Sequence, residues 1–208
     1  MISNILREAR NYEEIMEQLI PEHARPSFHL SSRVGWMNDP NGFSYYQGKY
    51  HLFYQYYPYE SKWGPMHWGH AVSEDLLHWE YLPAAIAPDT LADKDGCFSG
   101  SAVELADGRH LLMYTGVFKG PARPDGTCDD TQTQCVAVGD GINYEKYSGN
   151  PVLTSVIPSC GRRQMGPSAA WWETVQRMAA AKSCIIPVQT ASTGNLKAFW
   201  PRIKTVSA

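Results

Sequence analysis

The sequence predicts an all-β chain of the propeller class, with a short helix before the strands and a stretch of different texture after them. Two observations carry this. Residues 28–153 are rich in β-formers, and the same strand–turn order is written twice at a near-constant offset. The parts are residues 1–24, 25–153 and 154–208.

In the first part, Ile5, Ala9, Tyr12, Ile15/Met16 and Leu19 recur at helical spacing. Residues 3–19 therefore read as an amphipathic helix that packs on the main domain.

In the second part, Gly42–Tyr46, a turn at Gln47-Gly48 and Lys49–Gln55 are matched by Gly100–Leu105, a turn at Asp107-Gly108 and Arg109–Thr115. Trp68–Ser73, a turn through Asp75 and a strand start at Trp79-Glu80-Tyr81 are matched by Gln134–Gly139, Asp140-Gly141 and Tyr144-Glu145-Lys146. Each unit is four short antiparallel strands, the blade of a propeller. A sandwich would not repeat one strand–turn order at a fixed offset. The chain holds about two blades, whereas closed propellers use roughly four to eight.

The third part differs in charge. From residue 154 onward one acidic residue, Glu173, stands against seven basic ones, while the preceding residues are net acidic. This segment lacks blade-like alternation, and the run from Ala169 to Ala181 forms at most a short helix. A frameshifted or recombined origin is one reading, and a basic extension for an acidic partner is the other.

Composition excludes several classes of function. At 208 residues and net charge −3, the chain can bury a core and has no electrostatic footprint for nucleic acid or an anionic membrane. Arg7, Glu8 and Arg10 interrupt the N-terminal segment, so neither a signal peptide nor a membrane span is expected and a cytoplasmic location follows. Five cysteines without CxxC spacing argue against a disulfide framework or a zinc site. His67 and His70 stand three apart in a strand and point to opposite faces, so no metal is expected there. Without a glycine-rich phosphate loop, no nucleotide cofactor is expected either.

The run Gly35-Trp36-Met37-Asn38-Asp39-Pro40-Asn41-Gly42 singles out one carboxylate. Pro40 biases Asp39 towards extended backbone, and Asn41-Gly42 reads as a turn dipeptide tolerant of positive φ. Asp39 is thus expected at the mouth of a strand, aimed by the backbone.

These residues, with Arg25–Leu30, Tyr50–Gln55, Trp63–His70, Ser73–Trp79, Phe98–Ala102 and Asn150–Leu153, resemble glycoside hydrolase family 32, the invertases, sucrose-6-phosphate hydrolases and fructan hydrolases. A related arabinan and xylan family matches Trp36–Gly42 and Phe98–Ser101 less well. The resemblance implies a five-bladed catalytic propeller followed by a β-sandwich, with sucrose, sucrose 6-phosphate or short fructans as substrate and no cofactor. It implies that Asp39 is the nucleophile of a retaining glycosidase, kept ionised by donors such as the Asn38 side chain or nearby backbone N–H groups. Trp36, Asn38, Gln55, Trp63, Phe98 and Ser99 become the fructosyl contacts. For Gln55 and Ser99, ordinary strand-end polar groups satisfied by water are the alternative. Trp68 and Trp79 are expected to pack between sheets.

The family's acid/base glutamate lies in a Glu-Cys motif and its transition-state stabiliser in Arg-Asp-Pro. Neither motif occurs in this sequence. The chain is expected not to hydrolyse sucrose by itself, with a non-catalytic sugar-binding or vestigial role as the alternative.

Overall fold

The computed structural model describes residues 2–26, 29–124, 126 and 128–155. The expectations for the segment beyond residue 155 lie outside the described residues.

Among the described residues, nine strands form two antiparallel sheets. The first contains β1 (Trp36–Tyr46), β2 (Lys49–Tyr57), β3 (His67–Ser73) and β4 (Glu80–Ile86) in that order. The second runs β5 (Gly96–Glu104), β6 (His110–Lys119), β7 (Asp130–Gly139) and β8 (Tyr144–Lys146), and β9 (Leu153–Ser155) also pairs with β7. Both expected four-strand units are therefore present as meanders.

The turns repeat with the strands. Gln47 and Gly48 both take positive φ, 49° and 83°, which is the two-residue hairpin whose twist matches its strands. After β3, Oδ1 of Asp75 accepts hydrogen bonds from the backbone N–H groups of Leu77 and His78, at 2.9 and 2.8 Å. After β7, Oδ1 of Asp140 accepts the same pair from Ile142 and Asn143, at 3.0 and 2.7 Å. The two aspartates stand 65 residues apart in the sequence, so the repeat extends to individual hydrogen bonds.

Strand alternation sorts side chains onto two faces. Phe53, Trp68, Ile86, Leu112, Tyr114, Ala137 and Tyr144 fill the space between the sheets. Tyr54, Tyr56, Ala71 and Ala84 point the other way, where the helix α1 (Asn4–Glu17) covers them. Trp68 packs between the sheets as expected, whereas Trp79 is only partly buried and packs on the helix side of the first sheet, because it stands just before β4 on the face that α1 covers.

The helix starts at the Oγ of Ser3, which caps the N–H of Leu6 at 3.1 Å. Its buried stripe departs from the expected one. Leu6, Ala9 and Glu13 are buried, whereas Ile5, Ile15 and Leu19 are exposed. The reason is Glu13. Its Oε1 accepts the Ala84 N–H at 2.9 Å and pairs with Arg33 at 3.1 Å, so a carboxylate takes a core seat that apolar periodicity assigns elsewhere. Counting apolar residues cannot foresee a satisfied buried charge.

At the far side of the sheet junction, Nζ of Lys146 on β8 reaches Asp89 Oδ1 at 2.5 Å and Asp93 Oδ2 at 2.6 Å. It also donates to the Ala87 carbonyl. One cation thereby ties the second sheet to the segment that leaves β4, and its partners satisfy the charge that burial would otherwise penalise.

Candidate active site

The run that carries Asp39 is strand, not turn. Met37 pairs with Tyr56 and Pro40 with Tyr54, so Asn38 and Asp39 together oppose the single residue Gln55. This is a β-bulge, and a second shift follows between Asn41 and Ser44. The expected turn dipeptide is explained by this: Gly42 has φ +52° but lies inside β1. A Cβ there would stand 2.7 Å from the Phe53 ring, so glycine lets the strand bend against the core. Pro40 is tolerated because β1 is an edge strand of the sheet.

The second sheet has a counterpart. Phe98 pairs with Thr115 and Gly100 with Tyr114, leaving Ser99 as the extra residue of a bulge in β5. Asp39 and Ser99 are 60 residues apart, the offset that also relates Tyr54 to Tyr114. The two residues thus hold equivalent positions in consecutive sheets.

Three side chains of the first sheet hold the backbone around Ser99. Nε2 of Gln55 donates to the Cys97 carbonyl at 3.0 Å. Nε1 of Trp68 donates to the Phe98 carbonyl at 3.2 Å. Oδ1 of Asn41 accepts the Gly100 N–H at 3.3 Å. Gly100 leaves no room for a side chain, since a Cβ would lie 1.9 Å from the Met113 carbonyl oxygen.

The remaining candidates gather around the same two segments. Nε1 of Trp36 donates to Oδ1 of Asn38 at 3.0 Å, which leaves the Asn38 amide nitrogen as its outward donor. Trp63 is 51% exposed, and its ring meets Phe98 edge-on at 6.3 Å. Ser99 is exposed and Gln55 buried. The Asp39 side chain is exposed and makes no hydrogen bond or ion pair among the described residues. The expected donor from Asn38 does not reach it, because the Asn38 oxygen is turned to Trp36 and its carboxylate neighbour faces open space.

Two carboxylates of the segment entering β5 are engaged. Asp93 is buried and bonded to Tyr114 at 2.7 Å as well as to Lys146. Asp95 accepts the Lys119 N–H at 2.7 Å. Burial pushes the Cys97 thiol well up, so it is a neutral neighbour and not a second nucleophile. Asp39 is therefore a solvent-facing carboxylate that shares its bulge with Asn38 opposite Gln55, while Trp63 and Phe98 meet one another beside the Ser99 bulge. Residues of these types offer a sugar an attacking oxygen, hydroxyl-binding groups and apolar faces.

Sequence reasoning missed Asn41 and Trp68 as parts of this framework. Asn41 was masked by its resemblance to a turn residue, and Trp68 by its apolar surroundings. The signal available was the parity of β1 and β3, which turns both towards the second sheet.

His51, His70 and His110 form a separate group between the sheets. Nδ1 of His51 lies 3.0 Å from Nε2 of His70, and His110 is bonded to Tyr144 at 2.7 Å and Ser44 at 3.0 Å. His67 is turned to the Pro65 carbonyl at 2.9 Å, away from His70. No group of three or more potential metal ligands occurs among the described residues. No described helix is long and apolar enough to cross a membrane.

Comparison with known proteins gives concordant findings. The profile of the glycosyl hydrolases family 32 N-terminal domain matches residues 29–188. A sucrose-6-phosphate hydrolase of Zymomonas mobilis is 46% identical over 145 residues, covering 69% of this chain and 28% of that protein. A levanase of Bacillus subtilis is 45% identical over 157 residues, covering 73% of this chain and 22% of that protein. Among solved structures, a mutant of the Bombyx mori GH32 β-fructofuranosidase in complex with sucrose is similar at TM-score 0.66 and 45% identity. That match covers 75% of this chain and 32% of the other. The chain thus spans less than a third of the length of these relatives. The profile match and these relatives together show that the chain belongs to glycosyl hydrolase family 32.

Proposed function

We propose that this chain carries the nucleophile-bearing part of a retaining β-fructofuranosidase acting on sucrose, sucrose 6-phosphate or short fructans. The observation that carries the reading is the unpartnered Asp39 in its bulge, with the Ser99 bulge of the next sheet held alongside by Asn41, Gln55 and Trp68. The two sheets are then the first two blades of a five-bladed propeller, and the bulges are where their inner strands turn side chains towards its axis.

In this reading an oxygen of Asp39 attacks the anomeric carbon of the fructosyl unit as the bond to the leaving oxygen breaks. A fructosyl ester forms, which water later hydrolyses. Asn38, Gln55 and Ser99 bind sugar hydroxyls, and Trp36, Trp63 and Phe98 wall the ring's apolar side. A sugar leaving group needs a proton, and loss of a general acid costs about 10²–10⁴-fold in rate. The sequence has no Glu-Cys pair to supply it. A non-catalytic sugar-binding role is the second reading, favoured by that same absence.

An activated donor separates these readings, because fluoride leaves without protonation. Incubation with β-fructosyl fluoride followed by intact-mass and peptide mapping should find one fructosyl ester, on Asp39, and none on an Asp39→Ala chain. A donor that binds but never esterifies Asp39 would support the sugar-binding role instead.

A further inference from the structure

We infer that Asn41 is a positioning residue that sets the spacing between the Asp39 bulge and the Ser99 bulge; the inference rests on the reading of Asp39 as nucleophile. Asn41 lies two residues beyond Asp39 on β1 and is buried at 3% exposure. Its side chain faces the second sheet, where Oδ1 accepts the N–H of Gly100, the residue after Ser99. It is a hydrogen bond that runs directly from the strand of one bulge to the strand of the other, beside the packing of Gly42 against Ala102. Gln55 and Trp68 reach the β5 backbone from β2 and β3, so they hold β5 without fixing where β1 lies against it.

The local chemistry fits a role for the oxygen in particular. Nδ2 of Asn41 is buried without a hydrogen-bond partner among the described residues, a cost that an aliphatic residue would avoid. An aliphatic residue would instead leave the Gly100 N–H unpaired. Gly100 has no freedom to compensate, since its backbone is pressed against Met113 and Tyr114. Immediately after Asn41, Gly42 at φ +52° packs against Phe53, Trp68 and Ala102. The β1 bulge thus has its downstream side seated on the second sheet, and Asn41 supplies the polar part of that seat. A sugar bound between Asp39 and Ser99 would meet the nucleophile at a distance set by this bond.

Asn41→Leu removes the acceptor at similar size, Asn41→Ala removes it without adding bulk should the leucine chain fail to fold, and Asn41→Asp keeps an acceptor oxygen. Labelling by β-fructosyl fluoride is followed as a function of donor concentration, and exchange of the Gly100 amide is read in parallel. The maximal labelling rate of Asn41→Leu should fall about tenfold or more, as misplacement of a reacting group predicts. The half-saturating concentration should change less, and Asn41→Asp should recover most of the rate. Gly100 should exchange faster in Asn41→Leu and stay protected in Asn41→Asp. Labelling of Asn41→Leu at the unsubstituted rate would overturn the inference, as would unchanged Gly100 exchange. If the unsubstituted chain is not labelled, the nucleophile reading fails and the exchange result alone decides whether Asn41 ties the bulges.

Discussion

Gln55 faces Asn38 and Asp39 across the β1–β2 ladder and spends its amide on the Cys97 carbonyl of the neighbouring sheet, 3.0 Å away. One side chain thereby backs the carboxylate's bulge and fastens the strand that carries Ser99. Gln55→Ala removes the donor and leaves a buried carbonyl unpaired. We expect a loss of about 1–3 kcal/mol, measured by urea denaturation, and a lower maximal rate of Asp39 labelling in the fraction that remains folded.

Glycines in the two meanders should respond unequally. Gly100→Ala drives a Cβ into the Met113 carbonyl at 1.9 Å, so the backbone of the bulge must move. The cost should be about 3 kcal/mol or more. Gly108 has open space around it but φ +81°, and its alanine substitution should cost about 1–2 kcal/mol from the left-handed backbone alone. Denaturation midpoints of the two variants should keep this order.

The helix is secured through Glu13, which pairs with Arg33 and accepts the Ala84 N–H. Glu13→Ala leaves both without that partner. A destabilisation of about 3–5 kcal/mol is expected, with faster hydrogen exchange in α1 than in β6 or β7. Equal exchange changes throughout the chain would show that the helix is not a separate docking unit.

Acid should weaken the fold before carboxylates titrate. Burial lowers His67 and His110 to about 4 from the usual 6.5. Burial also lowers His70 and His51, whose rings face one another. Because the folded values lie below the unfolded ones, unfolding takes up protons. Stability is therefore full above about pH 6.5 and falls as pH drops towards 4, by about 1.4 kcal/mol per pH unit for each such histidine. Melting temperatures recorded from pH 7 to pH 5 should fall steeply, and His110→Gln should reduce the slope. A flat profile would contradict the burial of these rings in their neutral form.

Much of this architecture was legible because it is written as alternation and turn chemistry. The repeat from Tyr54 to Tyr114, and the Asp75 and Asp140 turns, follow from residues whose local preferences agree with their place in the sheet. Glu13 was not legible, because its burial depends on Arg33 and Ala84, far away in sequence. Asp39 was legible as a carboxylate constrained by Pro40. Its setting in a bulged strand was not, because bulges depend on register against β2. The same holds for Asn41, whose partner Gly100 belongs to the next sheet.

The most direct test of the account is fluoride release from β-fructosyl fluoride, measured beside glucose release from sucrose. Asp39 acting as nucleophile should give a burst of about one fluoride per chain, absent in Asp39→Ala, and no glucose above that control. Sucrose turnover clearly above the control would contradict the proposal that this chain does not itself protonate the leaving sugar, and a chain showing no burst would contradict Asp39 as the nucleophile.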